Sequence, residues 1–244
     1  MIDIAVKDLV KAFEIGDNLL DGLTFEVQQG ERVGLLGKNG AGKTTTLKAC
    51  AGILSPDEGE IYINGLSIRE NPLAVKKIIA YLPDNPELYP FLTGIKYLQF
   101  IADVFAIPAD VRSERIATLA EKFELTGALA QQVSGYSHGM KQRLALIAAF
   151  MHEPRLILMD EPFVGLDPQA SHLLKTMMRE HCERGGAIFF STHVLDVAER
   201  LCDKIAIIKH GELLRAGTTE EVKGDESLED AFLELVDEDA RNEG

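Results

Sequence analysis

The sequence predicts an α/β fold: a mostly parallel core sheet covered by helices on both faces, with a strand-rich N-terminal part and an inserted block of helices. Three observations predict it. Short, nearly unbroken apolar runs at residues 32–36, 156–159, 187–190 and 205–208 read as strands buried on both faces. Helical patterns at residues 43–51, 173–182 and 194–201 lie between them, and strands alternating with helices imply parallel pairing. Between about residues 86 and 152 the apolar period changes to that of helices.

Taken in order, residues 2–6 and 23–27 alternate apolar and polar, as strands do. A turn at Gly30-Glu31 leads into the strand at 32–36, and a glycine-rich loop at 37–42 opens the helix at 43–51, with Gly52 near its end. Residues 55–59, SPDEG, form a turn, 60–63 a short strand, and Asn64-Gly65 another turn. In the helical block Leu98, Ile101, Ala102 and Phe105 share one face, as do Ile116, Leu119, Ala120 and Phe123. The tail from Asp225 is acidic, but Leu228, Ala231, Phe232 and Leu235 fall on one helical side, which suits a short docked helix; the last eight residues read as frayed. The expected organisation is one domain over 1–244: a core from 1–85 and 153–217, a helical insertion at 86–152, and a C-terminal helix and tail at 218–244.

Composition narrows the function. The chain has 244 residues and is 46% hydrophobic, enough for a large core. With 39 acidic and 25 basic residues its formal charge is −14, which disfavours phosphate backbones and so argues against a nucleic-acid binder. Cys50, Cys182 and Cys202 are far apart with no Cys-x-x-Cys pair, so they read as reduced, packed thiols, and no structural zinc is expected. The N-terminal residues lack the pattern of a secretory signal, and no run approaches the roughly 18 apolar residues that span a bilayer. If the protein serves a membrane, another chain must cross it.

Residues 37–44, GKNGAGKT, match G-x-x-x-x-G-K-[ST] and sit between a strand and a helix, as that motif requires. Gly37, Gly40 and Gly42 allow the backbone, with Lys38, Asn39 and Ala41, to bend close to phosphate oxygens. Loop N–H groups and the positive end of the following helix then face the anion. Lys43 would reach the β- and γ-phosphates, the Thr44 hydroxyl would ligate Mg²⁺, and Thr45 offers one more hydrogen bond.

The strand of LILMDEP, residues 156–162, ends at Asp160, where open α/β sheets bind ligands. Asp160 is placed to hold Mg²⁺, and Glu161 beside it to polarise an attacking water. His193, after the strand at 187–190, reads either as a donor to the γ-phosphate or the water, or as an ordinary loop residue.

In this order the motifs resemble the ATPase subunit of ATP-binding-cassette (ABC) transporters over residues 2–218. YSHGMKQR, residues 136–143, is similar to the family's Leu-Ser-Gly-Gly-Gln signature and its following Gln-Arg. The resemblance implies a P-loop NTPase fold of the ABC ATPase type, with an N-terminal antiparallel β subdomain and an inserted α-helical one. It implies that Ser137, His138, Gly139 and Met140 act on ATP held by a second subunit, helped by the dipole of the helix from about 140 to 152. Ser137 also reads as a plain N-cap, and the two roles are compatible. Asp167 of Gly165-Leu166-Asp167 falls on the family's D-loop, and Phe13 on its adenine-stacking aromatic, with core packing as the alternative for Phe13.

The resemblance further implies ATP and Mg²⁺ as cofactors, hydrolysis by a homodimer or paired subunit, and a cytoplasmic location on the membrane face beside an integral transporter subunit. The signature, Pro83-Asp84 and the acidic tail look most like exporter ATPases, including the Ecs-type group. Two residues depart from the pattern. Asp84 stands where the family places Gln; it can ligate Mg²⁺ but adds negative charge, so nucleotide affinity should lean more on the metal. His138 replaces a signature Gly and would be strained if that position needs a positive φ. Residues 88–91 read either as a docking surface for the membrane subunit or as part of the helical lobe's interior. The competing functions are a non-transport ABC ATPase and a non-hydrolysing nucleotide-dependent clamp.

Overall fold

The computed structural model describes residues 2–12 and 18–237. Strands β1 (Ile2–Ala12) and β2 (Asn18–Gln28) form an antiparallel pair and lead to β3 (Arg32–Leu36), the glycine loop and α1 (Lys43–Cys50). Next come β4 (Glu58–Ile63), β5 (Leu66–Ser67), α2 (Pro72–Ile78) and β6 (Ile79–Leu82). The helical insertion contributes α3 (Gly94–Val104), α4 (Ala109–Lys122) and α5 (His138–Met151). The chain then alternates through β7 (Leu156–Asp160), α6 (Pro168–Glu183), β8 (Ala187–Thr192), α7 (Leu195–Leu201) and β9 (Lys204–Lys209). It closes with β10 (Glu212–Thr218), α8 (Thr219–Lys223) and α9 (Leu228–Asp237).

Two sheets result. One has the order β2-β1-β4-β5 and is antiparallel; the other runs β10-β9-β3-β8-β7-β6 and is parallel except for the β10–β9 pair. The unbroken apolar runs follow from burial on both faces of the larger sheet. Along β7, Ile157 and Met159 join the core shared with the insertion, while Leu156 and Leu158 join the core shared with α1 and the antiparallel sheet. Ile188 and Phe190 of β8 divide from Ala187 and Phe189 in the same way.

The expected helical faces are buried as read: Leu98 and Ala102, with Ile101 and Phe105 packed beside them, and Ile116, Ala120 and Phe123 with Leu119. Strands β5, β6 and β10 and helices α2 and α8 carried no recognised sequence signal. Of these, α8 has a complete capping box: the Thr218 side chain accepts from the Glu221 N–H while Glu221 accepts from the Thr218 N–H. The acidic C-terminal helix does dock, burying Leu228, Ala231, Phe232 and Val236. The fraying expected of the last eight residues concerns positions that, from 238 on, lie outside those described.

Helix α5 ties the insertion to the sheet. It starts beside Gly165, where a Cβ would meet the His138 ring at 2.4 Å, and it ends at His152, whose Nε2 lies 3.1 Å from the Ile79 carbonyl at the start of β6. It therefore runs antiparallel to β6 and β7, with residues 144–151 all buried. Among the described residues no helix is long and apolar enough to cross a membrane.

Candidate functional site

The carboxyl ends of β3 and β7 open on a cavity of about 270 Å³. Asn39, Gly40, Ala41, Gly42, Lys43, Thr44 and Thr45 line it together with Asp84, Asp160 and Glu161. Residues expected from the phosphate loop, the β7 end and the position of the family's Gln thus meet in one space. Leu19 of β2 also lines it, a contact the sequence reading did not anticipate.

The loop is shaped by glycine at two places for different reasons. Gly42 has φ 106, and a Cβ there would meet Leu20 Cδ2 at 2.8 Å and the Leu19 carbonyl at 2.9 Å. At Gly37 the limit comes from β9, since a Cβ would lie 2.5 Å from the Ile208 carbonyl. A side chain at Gly37 is therefore excluded by packing against the sheet.

Lys43 is buried and folds back over its loop, donating to the Gly37 carbonyl at 2.7 Å and the Lys38 carbonyl at 3.4 Å. Burial holds its ammonium below the usual lysine range, against the upward pull of Glu161 and Asp160. Its Nζ lies 3.8 Å from Glu161 Oε1. Glu161 Oε2 in turn is 2.9 Å from His193 Nδ1 and accepts from the His193 backbone N–H at 3.3 Å. Glu161 thus stands between a cation and an imidazole that is 57% exposed. Its backbone has φ 46, in the left-handed region that non-glycine residues seldom occupy.

Thr44 Oγ1 donates to Asp160 Oδ2 at 2.6 Å, so two hard oxygen donors converge at the mouth of the loop, with the Asp84 carboxylate on the same cavity. Among the described residues no group of three or more His, Cys, Asp or Glu side chains could hold a metal by itself. This donor set fits Mg²⁺, which takes one or two protein oxygens and completes its shell from water and phosphate. A residue missed by sequence reasoning lies behind the donor set: Ser191 of β8 donates to the Asp160 carboxylate and accepts from the Glu161 backbone N–H. The expected strand at 187–190 stopped one residue short of it.

The remaining expected residues lie elsewhere. Ser137 caps α5, accepting from the Met140 N–H at 3.3 Å, and none of Ser137, His138, Gly139 or Met140 lines the phosphate cavity of this chain. The strain expected at His138 is absent: it is the first residue of α5, with no positive φ. Asp167 caps α6 by accepting from the Ala170 N–H at 2.9 Å and pairs with Arg143 of α5. Arg143 also donates to the Phe123 carbonyl at 3.3 Å, so signature helix, D-loop and α4 meet at one guanidinium. Phe13 lies outside the described residues. The stretch 88–91 divides between its two readings: Leu88 packs against the core, while Tyr89 and Phe91 are 46% and 69% exposed.

Comparison with known proteins agrees with this geometry. The family model described as ABC transporter matches residues 20–164. The ABC-type transporter ATP-binding protein EcsA of Bacillus subtilis (strain 168) is 35% identical, over 98% of this chain and 99% of its own length. A solved structure described as the ATP binding subunit of an ABC transporter superposes with a TM-score of 0.91 at 37% identity, covering 95% of this chain and 98% of its own. The dimeric cassette MJ0796 bound to ADP and Pi shares the fold, with a TM-score of 0.81 and 24% identity over 88% of this chain and 98% of its own.

Proposed function

We propose, from the premise that this chain belongs to the ABC transporter family as an ATP-binding ATPase subunit, that two copies close on two MgATP to drive a separate membrane subunit. One observation carries the reading. A single cavity gathers the phosphate loop, Asp84, Asp160 and Glu161, so a triphosphate in the loop has its terminal end against the carboxylates.

In this proposal the backbone of residues 37–42 and the α1 N-terminus bind the β-phosphate. Lys43 leaves its two loop carbonyls for the β- and γ-oxygens, exchanging neutral acceptors for charged ones. Thr44, Asp160 and Asp84 hold Mg²⁺, which when bound neutralises charge building on the phosphates. Glu161 orients the attacking water and takes up its proton, and His193 holds Glu161 in place and donates toward the γ-phosphate. The pairing of Glu161 with both Lys43 and His193 favours hydrolysis over a nucleotide-dependent clamp. Ser137, His138, Gly139 and Met140, which do not line the chain's own cavity, complete the partner's site, with Asp167 beside them.

A groove of about 390 Å³ lies between the β6 end and α3 and α5, lined by Pro86, Tyr97, Ile101, Phe105 and His152 among others. With exposed Tyr89, Phe91 and Phe100 at hand, it supports docking of an apolar segment of the membrane subunit, and with it a place on the cytoplasmic face. We take the insertion at 86–152 as the lobe that relays the motion, and export as its direction, on the resemblance of the signature, Pro83-Asp84 and the acidic tail to exporter ATPases.

The test is phosphate release as a function of protein concentration, with Glu161→Gln alongside. Specific activity should rise with concentration, and Glu161→Gln should retain ATP and accumulate a stable dimer. Turnover by a proven monomer at an unchanged rate, or Glu161→Gln hydrolysing like the wild type, overturns the proposal.

A further inference from the structure

The Asp160 side chain and the Glu161 backbone share a partner that lies outside every motif named so far. Strands β7 and β8 pair in parallel with Asp160 opposite Ser191. That register brings the Ser191 hydroxyl, at the end of the apolar run AIFF, against the end of LILMD. A serine hydroxyl has one proton to give and two lone pairs. Here the proton goes to Asp160 Oδ1, at 2.5 Å, and a lone pair takes the Glu161 backbone N–H at 3.0 Å. Ser191 is 0% exposed, shielded from bulk solvent.

The consequences for the two carboxylates differ. Asp160 accepts from Ser191 on one oxygen and from Thr44 on the other, so its plane is set by two hydroxyls on opposite sides. Glu161 occupies left-handed backbone at φ 46, and its N–H is tied down by Ser191 Oγ. Strained backbone persists only where its surroundings over-determine it, and this bond is one of the restraints on that turn.

We infer that Ser191 is a positioning residue of the hydrolytic site: its hydroxyl aims Asp160 at the metal and holds the turn that aims Glu161 at the water. The inference rests on the roles proposed above for those two residues. Loss of a hydrogen bond to a charged group, with a buried donor left unpaired, corresponds to roughly a ten- to hundredfold effect.

The test uses the full chain and a non-hydrolysable ATP analogue. In Ser191→Ala, calorimetry with Mg²⁺ should show affinity weakened about tenfold, while affinity without metal stays within about twofold. At saturating Mg²⁺ and ATP, kcat should fall at least about tenfold, with KM for MgATP rising in step with the weakened affinity. Ser191→Thr, which keeps the hydroxyl, should recover most of both. If Ser191→Ala is poorly folded by thermal melting, Ser191→Cys keeps the volume, weakens the donor, and should show the same split. Equal losses with and without metal, or no loss in either, overturn the inference. Asp160→Asn is measured in parallel. If it leaves the metal-linked affinity intact, the role given to Asp160 fails; if only the Ser191 variants do, the positioning role alone fails.

Discussion

His181 offers a quantitative test of how the core is built. It lies on α6, only 6% exposed, its ring edge-on to Phe150 at 6.1 Å and its Nε2 without a hydrogen-bond partner. The ring fills the space over Gly186, where a Cβ would fall 2.1 Å from Nε2. Burial pushes its pKa down to about 4 from 6.5; the Arg184 cation adds to this, and hydrogen bonding to the Arg155 and Ala187 backbone opposes part of it. Unfolded chain takes up a proton near pH 6.5 and folded chain only near pH 4. The neutral ring thus costs nothing above pH 6.5, and stability is lost as pH falls from there towards 4. Between pH 7.5 and 5.0 the difference in binding amounts to about 2 kcal/mol. Urea unfolding of the wild type and His181→Leu at the two pH values checks it, because titrations common to both chains cancel. The stability gap between them should move by about 2 kcal/mol against the wild type on acidification. A gap that does not change with pH would show that His181 is solvated or protonated in the fold, and the linkage argument would be wrong.

Two further predictions concern the cavity. Lys43→Ala removes its one lining ammonium and leaves Asp160 and Glu161 facing the nucleotide uncompensated, so calorimetric affinity for MgATP should drop by roughly a hundredfold or more; normal affinity rejects the phosphate role. Asp84→Gln removes one of three carboxylates there, so metal-free ATP should bind more tightly, and the ratio of affinities with and without Mg²⁺ should narrow about fivefold, on the order of 1 kcal/mol; an unchanged ratio places Asp84 outside the metal's reach.

Much of the architecture was legible because the relevant signals are local. The glycine loop is contiguous, and the run from Leu156 to Asp160 announces a doubly buried strand ending in acid. Residues Leu98 and Ala102 mark a helix face without any tertiary information. What escaped depends on partners distant in sequence. The four residues of β6 gain their strand only by pairing with β7, and β10 by pairing with β9. Ser191 looks like any strand-end serine until the β7–β8 register sets it against Asp160, 31 residues away. The strain at His138 depended on its glycine-like position needing a positive φ, whereas Ser137 caps the helix and leaves His138 an ordinary first-turn residue.

The antiparallel course of α5 and β7 has a geometric consequence. A helix of 14 residues spans about 21 Å, and the strand that follows returns along it, so Ser137 and Glu161 emerge on the same rim of the molecule. A surface that carries a lock and its key side by side cannot mate with itself. In the proposed dimer it would mate with an identical surface turned through a half-rotation, which meets both needs twice over. On that proposal a single exchange of rims leaves no site open, and the assembly would stop at two.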